Sequence, residues 1–319
     1  MIDYSIYYKT QLSTSGKWGP DESWDIFISA FVPVERVLHV FTKANAREKR
    51  WIVFPEYGLA RSDYPPEASF DAVYIDEAEF IAAFWDTLPQ GAEQLRICID
   101  ITGFIRPYLI FLIRWLCEKG IRQFDAMYSE PQQYERREMT EFSGEIVKEV
   151  RQVALCEGIH TTDNTRDLLV IGSGYEDNLI AHVSENKAKA TKLQLIGFPS
   201  LRADMYQENI LRVHRADESL GGTMHGEVRS FFAPANDPFV AACTLHDVVD
   251  EWKGKNGISN LYLCPLSTKA HVLGFTLFFL TECRGLPVSI IFPFAERYSK
   301  NTSKGVARIW KYTVELPVP

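Results

Sequence analysis

Short apolar runs alternate with longer stretches of helical apolar spacing along the first half of the chain. In 33–46, for example, Val34, Val37, Leu38 and Phe41 recur on one face of a helix. The pattern predicts strands at 25–31, 49–58, 94–103 and 123–131, and helices at 33–46, 76–88 and 106–120. Gly120 follows the third helix, where a C-terminal cap is expected.

The second half repeats the same order of elements. The pattern predicts strands at 167–175, 192–201, 260–269 and 287–298, and helices at 176–190 and 270–285. Three pairs of identical residues keep nearly constant spacing, 144 positions for the first two pairs and 164 for the third. The pairs are Ser29 with Ser173, Pro55 with Pro199, and Tyr134 with Tyr298. This repetition predicts an internal duplication.

The predicted strands are continuously apolar instead of alternating with a period of two. Such strands are typical of parallel sheets that helices cover on both faces. We therefore expect an α/β protein of two Rossmann-like parallel-sheet domains, at 1–160 and 161–319. The polar, turn-rich segment 158–166 is the expected divider.

Composition agrees with two globular domains and narrows the class of partner. The chain has 319 residues, of which 46% are hydrophobic and 24% charged, and its net charge is −8. A net negative charge argues against generic coating of nucleic acid, which depends on neutralising phosphates. The longest apolar run, 108–117, is too short for a membrane span, and the six cysteines are scattered. We expect a cytoplasmic protein without a membrane segment.

Candidate ligand-binding residues follow the ends of the predicted strands, because open parallel sheets bind ligands there. In the second half, "STK" opens an apolar helix, where the helix dipole favours an anion, although its hydroxyls could equally cap the helix. The candidates are Ser29, Thr102, Arg106, Ser173, Gly174, Arg202, Ser267, Thr268 and Lys269.

The segment "GSGYED" at 172–177 is a glycine-rich turn between a strand and a helix. Its backbone N–H groups could hold a phosphate, or its glycines could serve only the tight turn. Asp177 stands where the third glycine of a dinucleotide-binding motif would be, so we predict no dinucleotide cofactor. No histidine or cysteine spacing predicts a metal site.

"DITG" at 100–103 and "STK" at 267–269 resemble parts of the D-x-T-G-G-T-K type signature of CARF-like Rossmannoid ligand-sensing domains in prokaryotic defence systems. The resemblance implies a nucleotide-binding pocket formed between two Rossmann-like units, with a role in antiviral defence.

Three functions remain open from the sequence. The first is a sensor that holds a nucleotide-like anion in a cleft between the two halves. The second is an enzyme that cleaves a glycosidic or phosphoester bond of a nucleotide or nucleoside. Its candidate acids and bases are Asp100, Glu35, Glu56 and Glu130. The third is a non-catalytic interaction subunit with a protein partner.

Overall fold

The predicted strands and helices are present in the computed structural model, most of them shorter by a few residues at one or both ends. The structure describes residues 3–4, 8–67, 69–74, 76–134, 147–174, 176–201, 229–299 and 303–318. It is a mixed α/β protein whose described residues form two mostly parallel sheets and six α-helices. Two compact units divide the chain: a first unit of 7–144 with 296–319, and a second unit of 145–295 with 1–6.

In the part of the first unit that the structure describes, the chain forms nine strands and three α-helices. The strands are β1 (Tyr8–Leu12), β2 (Ser23–Ala30), β3 (Asn45–Ile52), β4 (Ser69–Phe70), β5 (Ile97–Asp100), β6 (Gln123–Glu130), β7 (Gln133–Tyr134), β14 (Ser303–Lys304) and β15 (Arg308–Glu315). The helices are α1 (Glu35–Lys43), α2 (Glu77–Trp85) and α3 (Arg106–Glu118). Short 3-10 helices lie at Pro55–Tyr57, Arg61–Asp63 and Ala92–Gln94.

The main sheet of the first unit has the order β1-β15-β6-β5-β2-β3-β4. The five strands from β6 to β4 are parallel, whereas β15 is antiparallel to β6 and β1 antiparallel to β15. A separate two-stranded sheet joins β7 to β14. The chain therefore turns out of β2 and out of β5 at the same carboxyl edge.

Apolar side chains cover both faces of this sheet. On one face, Phe41 of α1 stacks on Trp51 with ring centroids 3.7 Å apart. Phe54 contacts Phe80 of α2 at 5.3 Å and Tyr108 of α3 at 4.5 Å. Trp51 and Phe54 are three positions apart in extended chain, so their side chains point to opposite faces of the sheet. Helix α1 therefore covers one face, and α2 and α3 cover the other.

The described residues of the second unit form six strands and three α-helices. The strands are β8 (Val147–Gln152), β9 (Leu168–Ser173), β10 (Thr191–Gly197), β11 (Arg229–Ala233), β12 (Leu261–Pro265) and β13 (Val288–Ala295). The helices are α4 (Asp177–Asn186), α5 (Pro238–Asn256) and α6 (Lys269–Phe278), and a π-helix at Phe279–Cys283 continues α6. The sheet order is β11-β10-β9-β12-β13-β8, with β8 antiparallel to β13 and the other five strands parallel.

Both sheets place their parallel strands in the order third-second-first-fourth-fifth, followed by an antiparallel strand. In each sheet the antiparallel strand is far along the chain from its partner. β8 precedes all the parallel strands of the second sheet yet pairs with β13, the last of them, and β15 comes after the whole second sheet yet pairs with β6 of the first. The expectation of purely parallel sheets is corrected here. The antiparallel strands β8 and β15 mix charged with apolar residues, a pattern that the parallel strands β9 and β12 lack.

The boundaries of the two units differ from the predicted domains 1–160 and 161–319. Residues 145–160 lie with the second unit and residues 296–319 with the first. The polar segment 158–166, predicted as a divider, folds against the start of β12. Asn260 accepts the Thr161 backbone N–H at 2.7 Å and donates to the Asp167 carboxylate at 2.7 Å.

All six cysteines are free thiols, five of them buried, and Cys243 is exposed on α5. Within the described ranges, no helix combines the length and the apolar character that crossing a membrane requires.

Candidate functional site

Buried polar side chains gather at the carboxyl edge of the first sheet, where the central strands β2, β5 and β6 end. Ser29 Oγ donates to Asp100 Oδ2 at 3.0 Å, and the Thr102 backbone N–H donates to Asp100 Oδ1 at 3.1 Å. Asp100 is 0% exposed. Burial raises the pKa of Asp100 to about 6, although the bonds from Thr102 and Ser29 and the charge of Arg36 oppose the rise.

The neighbouring hydroxyls join the ends of β5 and β6. Thr102 Oγ1 lies 3.1 Å from Ser129 Oγ and accepts the Ser129 backbone N–H at 3.0 Å. These hydrogen bonds give Ser29 and Thr102, both predicted as ligand-binding, a structural role inside the edge. We call Ser29, Arg36, Asp100, Thr102 and Ser129 the strand-end cluster.

Arg36 is the one cation of the strand-end cluster. It lies in the first turn of α1, is 9% exposed, and donates from Nη1 to the Ser129 carbonyl at 2.9 Å. Its Nε is buried and has no hydrogen-bond partner among the residues that the structure describes. A buried donor on a charged group is expensive to leave unpaired, so this N–H suits an anionic oxygen.

A second group of side chains lies beside this cluster. In the 3-10 helix after β3, Tyr57 donates its hydroxyl to the Gly103 carbonyl at 2.8 Å. Tyr108 of α3 donates to Glu56 Oε1 at 2.5 Å. Burial raises the pKa of Tyr57 above its usual value, while the charges of Arg106 and Arg36 lower it and that of Glu56 raises it further. Both arginines and Glu56 thus act on one phenol.

Arg106 opens α3 and is 6% exposed. The structure therefore brings the predicted Arg106 to the same edge as the predicted Thr102 and Asp100. Arg36 also follows the first strand in the sequence, but it was not among the predicted ligand-binding residues. In the structure it is buried on α1 together with the apolar Val37, Val40 and Phe41.

In each sheet, a glycine lets two neighbouring loops approach closely at the carboxyl edge. A Cβ added at Gly103 would lie 2.2 Å from the Ala30 carbonyl oxygen. In the second unit, a Cβ at Gly174 would lie 2.6 Å from the Leu266 carbonyl oxygen. The approach of two backbones accounts for Gly174 without a bound phosphate.

The strand ends of the second unit carry a different set of contacts. Ser173 Oγ donates to Gln194 Oε1 at 2.6 Å. Thr268 donates to the Ala235 carbonyl at 2.6 Å and accepts the His271 backbone N–H at 3.2 Å, so it caps α6. Ser267 is buried, and Lys269 is half-buried as the first residue of α6.

His271 is fully buried beneath these contacts. One ring nitrogen, Nε2, lies 3.0 Å from the Pro234 carbonyl oxygen. Burial lowers the pKa of His271 to about 4, although the hydrogen bonds to the backbone of residues 234 and 233 oppose the fall. The imidazole is therefore neutral near pH 7.

Two of the four candidate acids and bases hold parts of the first unit together. Glu35 is exposed and accepts the Gly305 backbone N–H at 3.1 Å. Glu130 is 1% exposed and accepts from Trp310 Nε1 of β15 at 2.6 Å, with Arg308 at 3.4 Å. Glu56 and Asp100 remain with the buried groups described above. Arg202 lies outside the described residues.

Within the described part of the chain, no three His, Cys, Asp or Glu side chains are grouped so that they could hold a metal ion. No family model matches the chain, and comparisons with curated proteins and with solved structures found no significant match.

Proposed function

We propose that this protein binds a nucleotide-like anion at the carboxyl edge of the first sheet, and that Arg36 is the main contact. The observation that carries the proposal is the buried guanidinium whose Nε lacks a partner among the described residues. A phosphate oxygen would accept this N–H in a charge-assisted hydrogen bond worth about 1.5–3 kcal/mol. Arg106, at the same edge, adds positive potential.

The rest of the strand-end cluster positions Arg36. Its Nη1 is held by the Ser129 carbonyl, and Ser129 is held in turn by Thr102. An arginine fixed in this way loses little conformational entropy when an anion binds, which favours affinity.

We also propose that the two units arose by internal duplication as Rossmann-like halves. The same order of parallel strands in both sheets supports this, as do the repeated landmark residues. On the resemblance of residues 100–103 and 267–269 alone, we propose a sensor in a prokaryotic defence system.

A catalytic function is the second candidate, because a pKa of about 6 would let Asp100 exchange a proton near neutral pH. Against it, both carboxylate oxygens of Asp100 are already hydrogen-bonded, whereas Arg36 Nε has no partner among the described residues. Binding without turnover is therefore the better-supported function.

Calorimetric titration of AMP, NAD and cyclic di-AMP into the wild type, Arg36→Met and Arg47→Met tests the proposal. Arg47 is the matched control, because its side chain is 84% exposed and pairs only at the surface with Asp25. We expect at least one probe to bind the wild type and Arg47→Met equally and to bind Arg36→Met about 10- to 100-fold more weakly.

Two results would overturn the binding site: no probe binds, or Arg36→Met binds as tightly as the wild type. Mass spectrometry of the same mixtures separates the second candidate. A product that forms with the wild type but not with Asp100→Asn would favour the enzyme.

A further inference from the structure

Glu56 has one carboxylate oxygen occupied and one unoccupied. Oε1 accepts the Tyr108 hydroxyl at 2.5 Å. Oε2 is buried and finds no hydrogen-bond partner within the described part of the chain. An ionised carboxylate is an acceptor only and has room for several donors, so the open oxygen calls for a donor.

The turn that carries Glu56 is held at several points. The Glu56 carbonyl accepts the Tyr298 backbone N–H at 3.0 Å, and the adjacent Tyr57 is bonded to the Gly103 carbonyl. Pro55 begins the turn and limits its backbone further. The carboxylate is therefore held in one orientation before any ligand arrives, as a recognition group needs to be.

Glu56 lies in the turn that contacts the loop after β5. It directly precedes Tyr57, whose hydroxyl donates to the carbonyl of Gly103, the residue after Thr102 of the strand-end cluster. In agreement, the charges of Arg36 and Arg106 lower the pKa of Tyr57. A molecule that satisfies both unpaired atoms must present an anionic oxygen to Arg36 and a hydrogen-bond donor to Glu56. In a nucleotide these groups lie apart, with the donor on the base or sugar, whereas the only donor of inorganic phosphate is its own P–OH.

We infer that Glu56 is the specificity-determining residue of this site and accepts a hydrogen bond from the uncharged part of the ligand. The donor is a base amino group or a sugar hydroxyl. This inference rests on the proposed anion site and names the ligand class. The site should prefer a nucleotide whose base or sugar carries a hydrogen-bond donor facing Glu56 over one that lacks this donor.

The test compares the Kd values of AMP, IMP and 2′-deoxy-AMP for the wild type. IMP replaces the amino group of AMP by an oxo group, and 2′-deoxy-AMP removes one sugar hydroxyl. A site built to accept a hydrogen bond rejects an analogue that leaves its buried acceptor unpaired. We expect one of the two analogues to bind at least about 10-fold more weakly than AMP, and which one it is identifies the donor.

Glu56→Gln is the matching variant, because it keeps the shape of the side chain and removes the charge. We expect the preference for AMP to fall to within about twofold in this variant, since a neutral amide is the weaker acceptor. Glu93→Gln is the control: Glu93 also lies in a short 3-10 helix but is exposed. It should keep the full preference.

The possible outcomes separate the two proposals. If AMP, IMP and 2′-deoxy-AMP bind equally, and all three weaken in Arg36→Met, the anion site stands and the role of Glu56 is overturned. If neither these three nucleotides nor NAD nor cyclic di-AMP shows binding that depends on Arg36, the anion site itself fails; if NAD or cyclic di-AMP binds through Arg36 and the three mononucleotides do not, the anion site stands and the role of Glu56 is overturned. The wild-type comparison decides the role of Glu56 even if Glu56→Gln does not fold.

Discussion

The carboxyl edges of the two sheets have the same strand order but opposite chemistry. At the first edge, an ionisable carboxyl group and a cation are buried side by side in Asp100 and Arg36. At the second, Ser173, Thr268 and His271 are hydrogen-bonded in the neutral state. The fold thus provides the edge twice, whereas among the described residues only the first copy has a buried cation with an unpaired N–H donor.

This difference shows which features the fold demands and which it leaves to other uses. Both edges need a glycine where the loops touch, and both need their hydroxyls bonded to neighbouring groups. The second edge has a buried carboxylate, Glu176 at the start of α4, but no buried lysine or arginine among the described residues. A buried cation is therefore not needed for the same strand order, which supports the proposed role of Arg36.

The glycine contacts provide the largest expected effect. Gly103→Ala should destabilise the first unit by about 3 kcal/mol or more, because the new methyl group would overlap the Ala30 carbonyl. Gly174→Ala, with a 2.6 Å approach to the Leu266 carbonyl, should destabilise the second unit by about 1–3 kcal/mol. Denaturant unfolding followed by hydrogen exchange in each unit measures both effects.

Gly254→Ala is the control, since Gly254 lies in α5 with open space around it. It should stabilise the protein by about 0.5–1 kcal/mol, because alanine favours the helix. A neutral Gly103→Ala would mean that the loops at the first edge do not touch.

The two edges should respond to acid in opposite directions. The pKa of Asp100 is raised to about 6 in the folded state, so protonation favours folding and the first unit gains stability as the pH falls from about 6 to 4. The pKa of His271 is lowered to about 4, so protonation favours unfolding and the second unit loses stability from about pH 6.5 to 4. Each contribution is about 3 kcal/mol.

Single substitutions isolate the contributions of Asp100 and His271 to the pH dependence of stability. Asp100→Asn should remove the gain in acid from the first unit, and His271→Gln should remove the loss in acid from the second. Hydrogen exchange at pH 4, 5 and 6 reports on both units in one experiment. If both units change in the same direction in the wild type, the proposed electrostatic difference between the edges is wrong.

The two serines provide a smaller comparison. Ser29 donates to a carboxyl group and Ser173 to an amide, so their replacement should differ in effect. We expect Ser29→Ala to lower the free energy of unfolding at pH 7 by about 1.5–3 kcal/mol, and Ser173→Ala by about 0.5–1.5 kcal/mol. Chemical denaturation of both variants checks the order, which equal losses would contradict.

Much of the architecture follows from the chain's own pattern. Continuous apolar runs such as 97–99 and 168–171 are typical of strands buried on both faces, which predicts parallel strands between helices. The candidate residues Asp100, Thr102 and Arg106 follow from the rule that parallel strands end at one edge. Local periodicity and this geometric rule are properties that a sequence carries by itself.

Only the tertiary structure decided which antiparallel strands complete each sheet and which partners the charged side chains find. The partners of β8 and β15 depend on pairings between segments far apart in the chain, which no local pattern encodes. The same holds for Glu130, whose carboxylate accepts a hydrogen bond from Trp310, and for Arg36, whose Nε has no partner among the described residues. Whether a polar group is satisfied is a property of its three-dimensional neighbours, so the difference between a structural and a binding residue appears only in the folded protein.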